Sequence, residues 1–563
     1  MTHHALKHHA LKHHALKRHA LTRQARWLLL GMALGACGGS KGDAPSTPTT
    51  PIVPVAPPSE LTQDYRPSGR SAAGDVFVHL FEWRWPDIAR ECELFLGPKG
   101  YRGVQISPPS EHAIITSGGA FYPWWQRYQT VSYKLDVSRS GTAAELSDMV
   151  SRCRAVGVEI YADVVINHMT AGSGTGSAGS AYTKYSYPAV PYTSVNFHTP
   201  CGIDSYLNAQ QVQNCELVGL ADLRTEDIVV RETIARYLIA LNALGIAGFR
   251  IDAAKHVPPR DLDAILSLVN AAAVSAGRPR PYVFMEIISG GGDAVTPQQY
   301  YGVGNASGGA ADITDFQYGY RLTDAFSGRN GVTLNALSAP VIGTLPSDKS
   351  VVFVDNHDNQ RGDNLYYATA GFELAVLFML AHPQGYPSVM SSFGFDKASQ
   401  GGRDAGPPAA GVGITQSTFA PDGTSRCSVA LGSAQVGQWI CEHRRPAIAN
   451  MVAFRRATIG APFSTCGRTT AVVGADPNQV AFCRDGAGFV ALNRTSASVT
   501  AMLPTLLAAG NYCDVVGFEF VLAGNGRAVT CSGAAIVVNG SGSATITVPA
   551  MGAVALHVRA KLP

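Results

Sequence analysis

Eight short apolar runs, most of them followed by a helical pattern, constrain the fold of this chain more than any other feature. The runs lie at residues 76–81, 103–107, 159–165, 246–251, 282–287, 311–316, 351–354 and 387–391. Buried strands that alternate with helices predict a closed parallel (β/α)8 barrel, the TIM barrel of the α/β class, with catalytic groups at the C-terminal ends of the strands. An open doubly wound sheet is the alternative, but no glycine-rich nucleotide loop follows any early strand.

Two regions depart from this alternation. About sixty residues rich in Gly, Ser and Tyr follow the third strand, and connections of this length are functional or form small subdomains. We interpret residues 169–220 as a protruding domain. Short alternating runs with frequent Gly and Asn predict an antiparallel β-sandwich over residues 462–563. Residues 68–168 and 221–461 then form the barrel.

The N-terminus has the pattern of an export signal. A His-rich five-residue unit is repeated through residues 3–22, and an apolar run at 27–36 follows it. This run is far shorter than the ~20 residues that a membrane span needs, so residues 1–36 predict a secretory signal peptide. Metal binding by the repeat is the alternative. The sequence before Cys37 resembles a bacterial lipoprotein cleavage box, which predicts either a lipid anchor at that cysteine or plain secretion. Residues 37–67 predict an extended Pro/Ser/Thr-rich linker.

Charge and cysteine content agree with an exported protein. The net charge is +3, but six Lys or Arg and no acid lie in the first 36 residues, so nothing indicates a nucleic-acid partner. Apart from Cys37 there are ten cysteines, enough for five disulfides, and the absence of a CxxC pair argues against zinc. Proximity in sequence suggests the pairs Cys201 with Cys215, Cys427 with Cys441, Cys466 with Cys483 and Cys513 with Cys531, which leaves Cys92 with Cys153.

Polar and ionisable side chains collect where four of the predicted strands end. With a period of two, Arg250 and Asp252 point to the same side of the fourth strand. A cation beside a carboxylate favours the ionised acid at neutral pH, which suits a nucleophile. Glu286 follows Asp252 by 34 residues, one strand–helix unit, and Asp358 follows Glu286 by 72 residues, two units. In a barrel these spacings bring three carboxylates to one rim.

The stretches that carry these residues resemble the four signature regions of the α-amylase family of retaining glycoside hydrolases. They read DVVINH at 163–168, GFRIDAAKH at 248–256, VFMEII at 283–288 and FVDNHDNQR at 353–361. The resemblance extends from about residue 76 to the C-terminus and is strongest with the animal-type members, which some bacteria also possess. It implies endo-hydrolysis of α-1,4-glucosidic bonds in starch, glycogen and related glucans by a retaining double displacement.

The resemblance also implies roles for the acids. Asp252 corresponds to the nucleophile, Glu286 to the acid/base, and Asp358 to the third acid, which stabilises charge on the sugar. A retaining mechanism needs the first two carboxyl groups roughly 5–5.5 Å apart. The apolar residues before Glu286 favour a raised pKa, as an acid needs. The residues expected to bind substrate are Trp124, Trp125, Tyr128, Gln129, His168, Arg250, Lys255, His256 and His357.

Two ion sites follow from the same resemblance. The side chains of Asn167 and Asp222, with backbone oxygens of Gln213 and His256, match a calcium site that would hold the protruding domain to the barrel. The chloride site of animal-type members uses two basic residues and an asparagine. Arg250 and Asn356 match two of these ligands, but Ser388 occupies the second basic position. Because one cation is missing, the sequence argues against chloride dependence.

One segment departs from the animal-type pattern. Those members carry a glycine-rich mobile loop after the seventh-strand motif, whereas here residues 361–364 lead almost at once into Leu365, Tyr366 and Tyr367. We therefore expect a shorter and stiffer rim at this point.

Three functions are compatible with these features of the sequence. The first is α-amylase activity of an exported, calcium-binding and monomeric enzyme that contacts the membrane only through an anchor at Cys37. The second is a transglycosylase of the same family, which shares the acids and differs in its products. The third is a non-catalytic glucan-binding lipoprotein, which should lack a catalytic acid, yet all three acids are present.

Overall fold

The protein is described by a computed structural model that covers residue 61 and residues 65–117, 121–429, 435–522 and 528–563. The predicted signal peptide, Cys37 and nearly all of the predicted linker lie outside these ranges. No helix within these ranges is long and apolar enough to cross a membrane.

Eight parallel strands close into a barrel, which confirms the predicted fold class. The strands are β1 (Phe77–Leu80), β2 (Gly103–Ile106), β3 (Glu159–Val164), β4 (Gly248–Ile251), β5 (Tyr282–Met285), β6 (Ala311–Thr314), β7 (Ser350–Val352) and β8 (Tyr386–Ser391). Each strand pairs with its sequence neighbours, and β1 pairs with β8 to complete the ring. The C-terminal ends of all eight strands therefore meet at one rim.

Helices cover the outside of the barrel. They are α1 (Trp85–Glu91), α2 (Ala143–Ala155), α3 (Ile228–Leu244), α4 (Pro259–Ser275), α5 (Phe316–Ser327), α6 (Phe372–Ala381) and α7 (Pro446–Ala457). Local signals set their ends. Thr142 and Glu145 form a capping box at the start of α2, and Gly245 ends α3 in a left-handed conformation with φ 99°. After α1 the chain continues in π-helical geometry over Cys92–Leu96.

The barrel interior is packed with aromatic side chains near the N-terminal ends of the strands. Phe77, Tyr161, Tyr282 and Tyr386 belong to one fully enclosed cluster. Glycines in the strands make room for these rings, because a Cβ at Gly103 would lie 2.6 Å from the ring of Tyr161. The interior at this end is therefore solid, as in other barrels of this size.

The long connection after β3 leaves and re-enters the barrel as an antiparallel pair. His168–Met169 pairs with Ala221–Asp222, so the start and the end of the excursion lie side by side. The excursion contains a second small pair, Ser173–Thr175 with Ala181–Thr183, and the helix Ala209–Asn214. This arrangement is that of a protruding unit tied to the rim at its base.

The C-terminal region is an antiparallel β structure, as predicted. Its strands are β9 (Phe463–Ser464), β10 (Gln479–Arg484), β11 (Gly488–Asn493), β12 (Val499–Pro504), β13 (Gly510–Tyr512), β14 (Phe520–Leu522), β15 (Ala528–Cys531), β16 (Ile536–Val538), β17 (Ser543–Val548) and β18 (Gly552–His557). The sheet β9-β10-β11-β18 packs against the pair β12-β17 around a separate core that includes Phe489, Ile546 and Leu556. Arg484 joins this region to the barrel by donating to the carbonyls of Ala381, Thr458 and Ala461.

All five predicted disulfides are present. They join Cys92 to Cys153, Cys201 to Cys215, Cys427 to Cys441, Cys466 to Cys483 and Cys513 to Cys531. Four of them close loops of 14 to 18 residues, and the fifth joins the segment after α1 to α2. Their number supports an oxidising compartment.

Candidate active site

The barrel brings the predicted acids to its C-terminal rim. Asp252 directly follows β4, Glu286 directly follows β5, and Asp358 lies in the segment after β7. Arg250 lies on β4 directly opposite Asp163 of β3 in the strand register. Parallel pairing thus places a buried cation and several carboxylates at the same height in the barrel.

Arg250 is the centre of this cluster. Its Nη1 lies 2.7 Å from Asp163 Oδ1 and 2.9 Å from Asp252 Oδ1, and its Nη2 lies 2.6 Å from Glu286 Oε1. The contact with Asp252 is a hydrogen bond, whereas the contact with Glu286 is an ion pair in which Nη2 lacks hydrogen-bond geometry. All four side chains are buried. One guanidinium therefore faces three carboxylates in a site with little water.

The burial of three carboxylates around one cation raises the pKa values of Glu286 and Asp252. Burial raises the pKa of Glu286; Arg250 opposes the shift, while Asp252 and Asp358 add to it. Burial also raises the pKa of Asp252, with Asp163 adding to the shift, although Arg250 lowers it. Arg250 thus lowers the pKa of Asp252, as expected, but burial and the charge of Asp163 raise it by more. Because three carboxylates share one cation, the cluster retains a proton more readily than isolated acids do.

The backbone after β4 also contributes to the site. Ala253 adopts a left-handed conformation with φ 50°, which is costly for a residue other than glycine. In this conformation its N–H donates to Glu286 Oε2 over 2.8 Å. The strained residue thus holds the glutamate next to Asp252.

Aromatic rings form one wall beside the acids. The imidazole of His357 stacks on Tyr128 at 5.0 Å and meets Trp124 edge-on at 5.6 Å. Tyr128 Oη donates to Asp163 Oδ2, and Trp124 Nε1 donates to the carbonyl of Arg403. Trp125 is the more exposed of the two tryptophans. This wall offers flat apolar faces of the kind on which sugar rings stack.

The other predicted substrate residues surround the cluster. His168 Nε2 lies 3.1 Å from the carbonyl of Tyr128, and Gln129 Oε1 accepts from Thr170 at the base of the protruding unit. Lys255 Nζ donates to Asp293 Oδ2 over 2.8 Å and to the carbonyl of Ile288 over 2.7 Å. His256 Nδ1 lies 2.7 Å from the carbonyl of Val212.

The four residues predicted for calcium lie where the protruding unit joins the barrel. Asp222 pairs with His168 in the antiparallel bridge, next to Asn167, whose carbonyl accepts from Leu223. Gln213 adjoins Val212, whose carbonyl contacts His256. All four are buried. In the described part of the chain, no group of three or more His, Cys, Asp or Glu is arranged to hold a metal ion.

The three positions of the chloride comparison line one small cavity. Arg250, Asn356 and Ser388 are among the residues that line a space of about 20 Å³ inside the barrel. Asn356 Oδ1 already accepts from the N–H groups of Asp358 and Asn359.

Two important residues were not among the predicted site residues. Asp163 contacts both Arg250 and Tyr128, and its position opposite Arg250 becomes evident only once the strands are in register. Arg361 is buried; it donates to the carbonyls of His357 and Arg403, and its guanidinium lies over the rings of Trp124 and Phe395 at 4.8 and 4.4 Å. Both residues are charged and lie inside a strand-end motif, and this position is the sequence signal that could have identified them.

A buried pair of acids, a third acid and an aromatic wall at the C-terminal rim of a TIM barrel are the groups that a retaining glycoside hydrolase needs. The sequence profile of the α-amylase catalytic domain matches residues 123–286, and that of the α-amylase C-terminal all-beta domain matches residues 472–559. An α-amylase of Tribolium castaneum is 44% identical over 87% of this chain and 96% of its own length. The pancreatic α-amylase of Sus scrofa is 40% identical over 88% of this chain and 97% of its own.

Solved structures agree. α-Amylase I of Eisenia fetida superposes with a TM-score of 0.74 at 35% identity, covering 90% of this chain and 99% of that one. A mutant of the same protein, solved as a maltohexaose complex, gives the same TM-score. The chain belongs to the α-amylase family.

Proposed function

We propose that this protein hydrolyses internal α-1,4-glucosidic bonds of starch, glycogen and related glucans with retention of configuration. The observation that carries the proposal is the Arg250 cluster, in which Asp252 and Glu286 contact opposite nitrogens of one guanidinium. A retaining mechanism requires two carboxyl groups held about 5–5.5 Å apart. The family membership and the maltohexaose bound by a structural relative support the same substrate class.

In the proposed mechanism the proton held by the cluster lies on Glu286. Arg250 Nη1 hydrogen-bonds to Asp252, which favours the ionised form of that acid. Glu286 protonates the glycosidic oxygen while an oxygen of Asp252 bonds to the anomeric carbon and the leaving chain departs. Glu286 then removes a proton from water, whose oxygen displaces Asp252 and releases the second product.

The remaining residues bind and shape the sugar in this proposal. Asp358, which is partly exposed and 3.2 Å from His357, stabilises positive charge on the ring. Trp124, Trp125 and Tyr128 stack on glucose units. His168, His357, Gln129, Lys255 and His256 complete the list of proposed substrate contacts.

Product analysis on amylose over time tests the function. We expect a rapid fall in polymer length with α-configured reducing ends, and no increase of long or cyclic products. Accumulation of rearranged glucans would identify a transglycosylase instead. The variant Asp252→Asn should lose hydrolysis and still bind glucan, because the amide cannot form the covalent intermediate. Retained hydrolysis would contradict the proposed nucleophile.

Calcium is the second part of the proposal. Asp222 Oδ1 and Gln213 Oε1 are buried without a hydrogen-bond partner, while Asp222 Oδ2 lies 2.7 Å from His198. With Asn167 and the carbonyls of Gln213 and His256, these atoms form an oxygen-rich set that suits calcium. Asp222 is the only carboxylate of the set, so the set does not form a group of three or more His, Cys, Asp or Glu side chains. Bound calcium would hold the protruding unit to the rim.

Chelation tests the calcium site. We expect a chelator to lower the Tm of the wild type and added calcium to restore it. In Asp222→Asn the restoring calcium concentration should rise, because the site loses its charged oxygen. An equal response in both proteins would contradict the site.

Chloride is not part of the proposal. Ser388 supplies no positive charge, and Arg250 is engaged by three carboxylates. Titrating chloride into the dialysed enzyme should leave kcat nearly unchanged, and strong activation would show this to be wrong.

We also propose that residues 169–220 form the protruding domain and residues 462–563 the C-terminal domain of an exported monomer. The five disulfides support export. Mass analysis of the mature N-terminus tests lipidation at Cys37.

A further inference from the structure

A second cavity lies away from the acids, between the barrel and the C-terminal region. It has a volume of about 470 Å³, within the range of small-molecule sites. Its polar lining includes Arg329, Asp363, Asn364, Lys397 and Arg494, and we call it the junction cavity. These residues come from the end of α5, the segments after β7 and β8, and the C-terminal region.

The lining of the junction cavity carries excess positive charge. It contains three cations, Arg329, Lys397 and Arg494, and one carboxylate, Asp363. Arg329 lies 3.8 Å from Asp324, a long ion pair. Within the described residues no carboxylate lies within ion-pair distance of Lys397 or Arg494. The ammonium of Lys397 faces the ring of Tyr366, and the guanidinium of Arg494 donates to the neutral side chain of Asn478.

Burial adds to this imbalance. The pKa of Lys397 is lowered chiefly by the loss of water around its ammonium, which Asp363 offsets only in part. A cation that is partly desolvated and incompletely paired gains from a nearby anion.

A buried donor lines the same space. Asn364 is only 7% exposed, and its Nδ2 has no hydrogen-bond partner. Buried N–H groups in proteins are almost always paired, so this amide indicates an acceptor that the protein itself does not supply. The unpaired amide is an observation independent of the charge.

We propose that the junction cavity binds a phosphate group, as inorganic phosphate or as the monoester of a sugar. A phosphate dianion offers several acceptor oxygens, which suit two guanidinium groups, an ammonium and an amide N–H. The cavity is larger than phosphate alone requires, so a sugar attached to it has room. Neither the catalytic mechanism nor the calcium site uses any of these residues.

Binding would connect the catalytic rim to the C-terminal region. Asn364 follows Asp358 by six residues and Arg361 by three. Arg361 is itself bonded to the carbonyl of His357 over 2.6 Å. A phosphate that bridges Asn364 and Arg494 would therefore fix the segment after β7 in place, so the ligand should raise the Tm of the protein.

Calorimetric titration of the full chain tests the site with three probes: inorganic phosphate, glucose 6-phosphate and glucose. We expect both phosphates to bind and glucose alone not to bind. Tighter binding of glucose 6-phosphate would identify a sugar ester as the ligand, and equal binding would identify the phosphate group alone. Absence of saturable binding at concentrations on the order of 10 mM would overturn the proposal.

Matched variants locate the binding. Asn364→Asp keeps the side-chain shape but replaces the unpaired donor by a negative charge, and Lys397→Gln removes one cation. Each should weaken phosphate binding at least about tenfold. Arg260→Gln removes one positive charge from an exposed position on α4 and should leave the affinity unchanged. Equal affinities in all four proteins would overturn the site.

Two further controls keep the result clear. Phosphate also sequesters calcium, so the variants are compared at identical phosphate and calcium concentrations. If Asn364→Asp fails to fold, Lys397→Gln decides the test, because Lys397 Nζ contacts only the ring of Tyr366 among the described contacts.

Discussion

The two ends of the barrel each contain an arginine among carboxylates and aromatic rings, but the two arginines differ in the number of carboxylates that contact them. At the C-terminal rim, Arg250 faces Asp163, Asp252 and Glu286. At the opposite end, Arg70 pairs with Glu159 at 2.6 Å and covers the ring of Tyr282 at 4.9 Å.

The hydrogen-bonding partners differ in the same way. Beneath Arg70, Tyr161 donates to Glu159, and its Oη lies 3.1 Å from the Oη of Tyr386. Arg70 thus has one carboxylate, Glu159, within ion-pair distance, and phenols are its neutral neighbours. The rim has an excess of negative charge in a buried place. This difference in charge balance indicates that the N-terminal end stabilises the fold, whereas the rim is destabilised by the buried charges that catalysis needs.

The largest expected effect is loss of catalysis at the rim. Glu286→Gln should reduce kcat about 10²- to 10⁴-fold, because the amide cannot donate or accept the catalytic proton. Its Tm should stay the same or rise, since the amide stays neutral at every pH, whereas Glu286 adds to the negative charge around Arg250 whenever it ionises. Starch hydrolysis and thermal unfolding measure the two effects. A large fall in Tm would show that the carboxylate stabilises the fold.

Removing the cation of the rim tests whether its carboxylates depend on Arg250. Arg250→Gln leaves three buried carboxylates without a partner, and breaking a buried ion pair in this way costs about 3–5 kcal/mol. Unfolding in urea should show a loss of this size at neutral pH. The loss should shrink as the pH falls, because protonation neutralises the unpaired acids. A loss that is the same at all pH values would contradict the electrostatic explanation.

The sequence predicts the rim better than it predicts the opposite end. The eight strands follow from apolar runs, and the positions of Asp252, Glu286 and Asp358 follow from strand ends. The five disulfides follow from spacing because four of them close short loops. These features are local or depend only on barrel order.

Features that depend on register or on irregular backbone could not be predicted. Asp163 meets Arg250 only because β3 and β4 align at that residue. The left-handed backbone conformation of Ala253 could not be predicted either, because alanine does not favour it. Arg70 lies in an irregular segment before β1, where no periodicity indicates that it closes the end of the barrel.

A pH profile compares one neutralised carboxylate from each end. The negative charge of Asp163 raises the pKa of Asp252. Asp163→Asn should therefore lower that pKa and shift the acidic limb of kcat/KM to lower pH, since Asp252 must be ionised to attack. Asp312→Asn removes a buried carboxylate whose pKa is raised to about 6 and which bonds to Ser68 and Tyr282 at the other end. That variant should leave the profile of activity unchanged, and a shift would show that the two ends are electrostatically coupled.

The smallest effects are expected at the Arg70 end. Arg70 is 25% exposed and Glu159 is 41% exposed, so their ion pair contributes at most about 1 kcal/mol. Arg70→Gln should lower stability by about that amount plus the ~0.5–1 kcal/mol of its contact with Tyr282. Tyr386→Phe removes one buried hydrogen bond and should cost about 0.5–1.5 kcal/mol. Both variants should keep the wild-type kcat, as urea unfolding and starch hydrolysis together would show. A fall in kcat without a fall in stability would mean that this end also positions the catalytic rim, and the division between the two ends would be wrong.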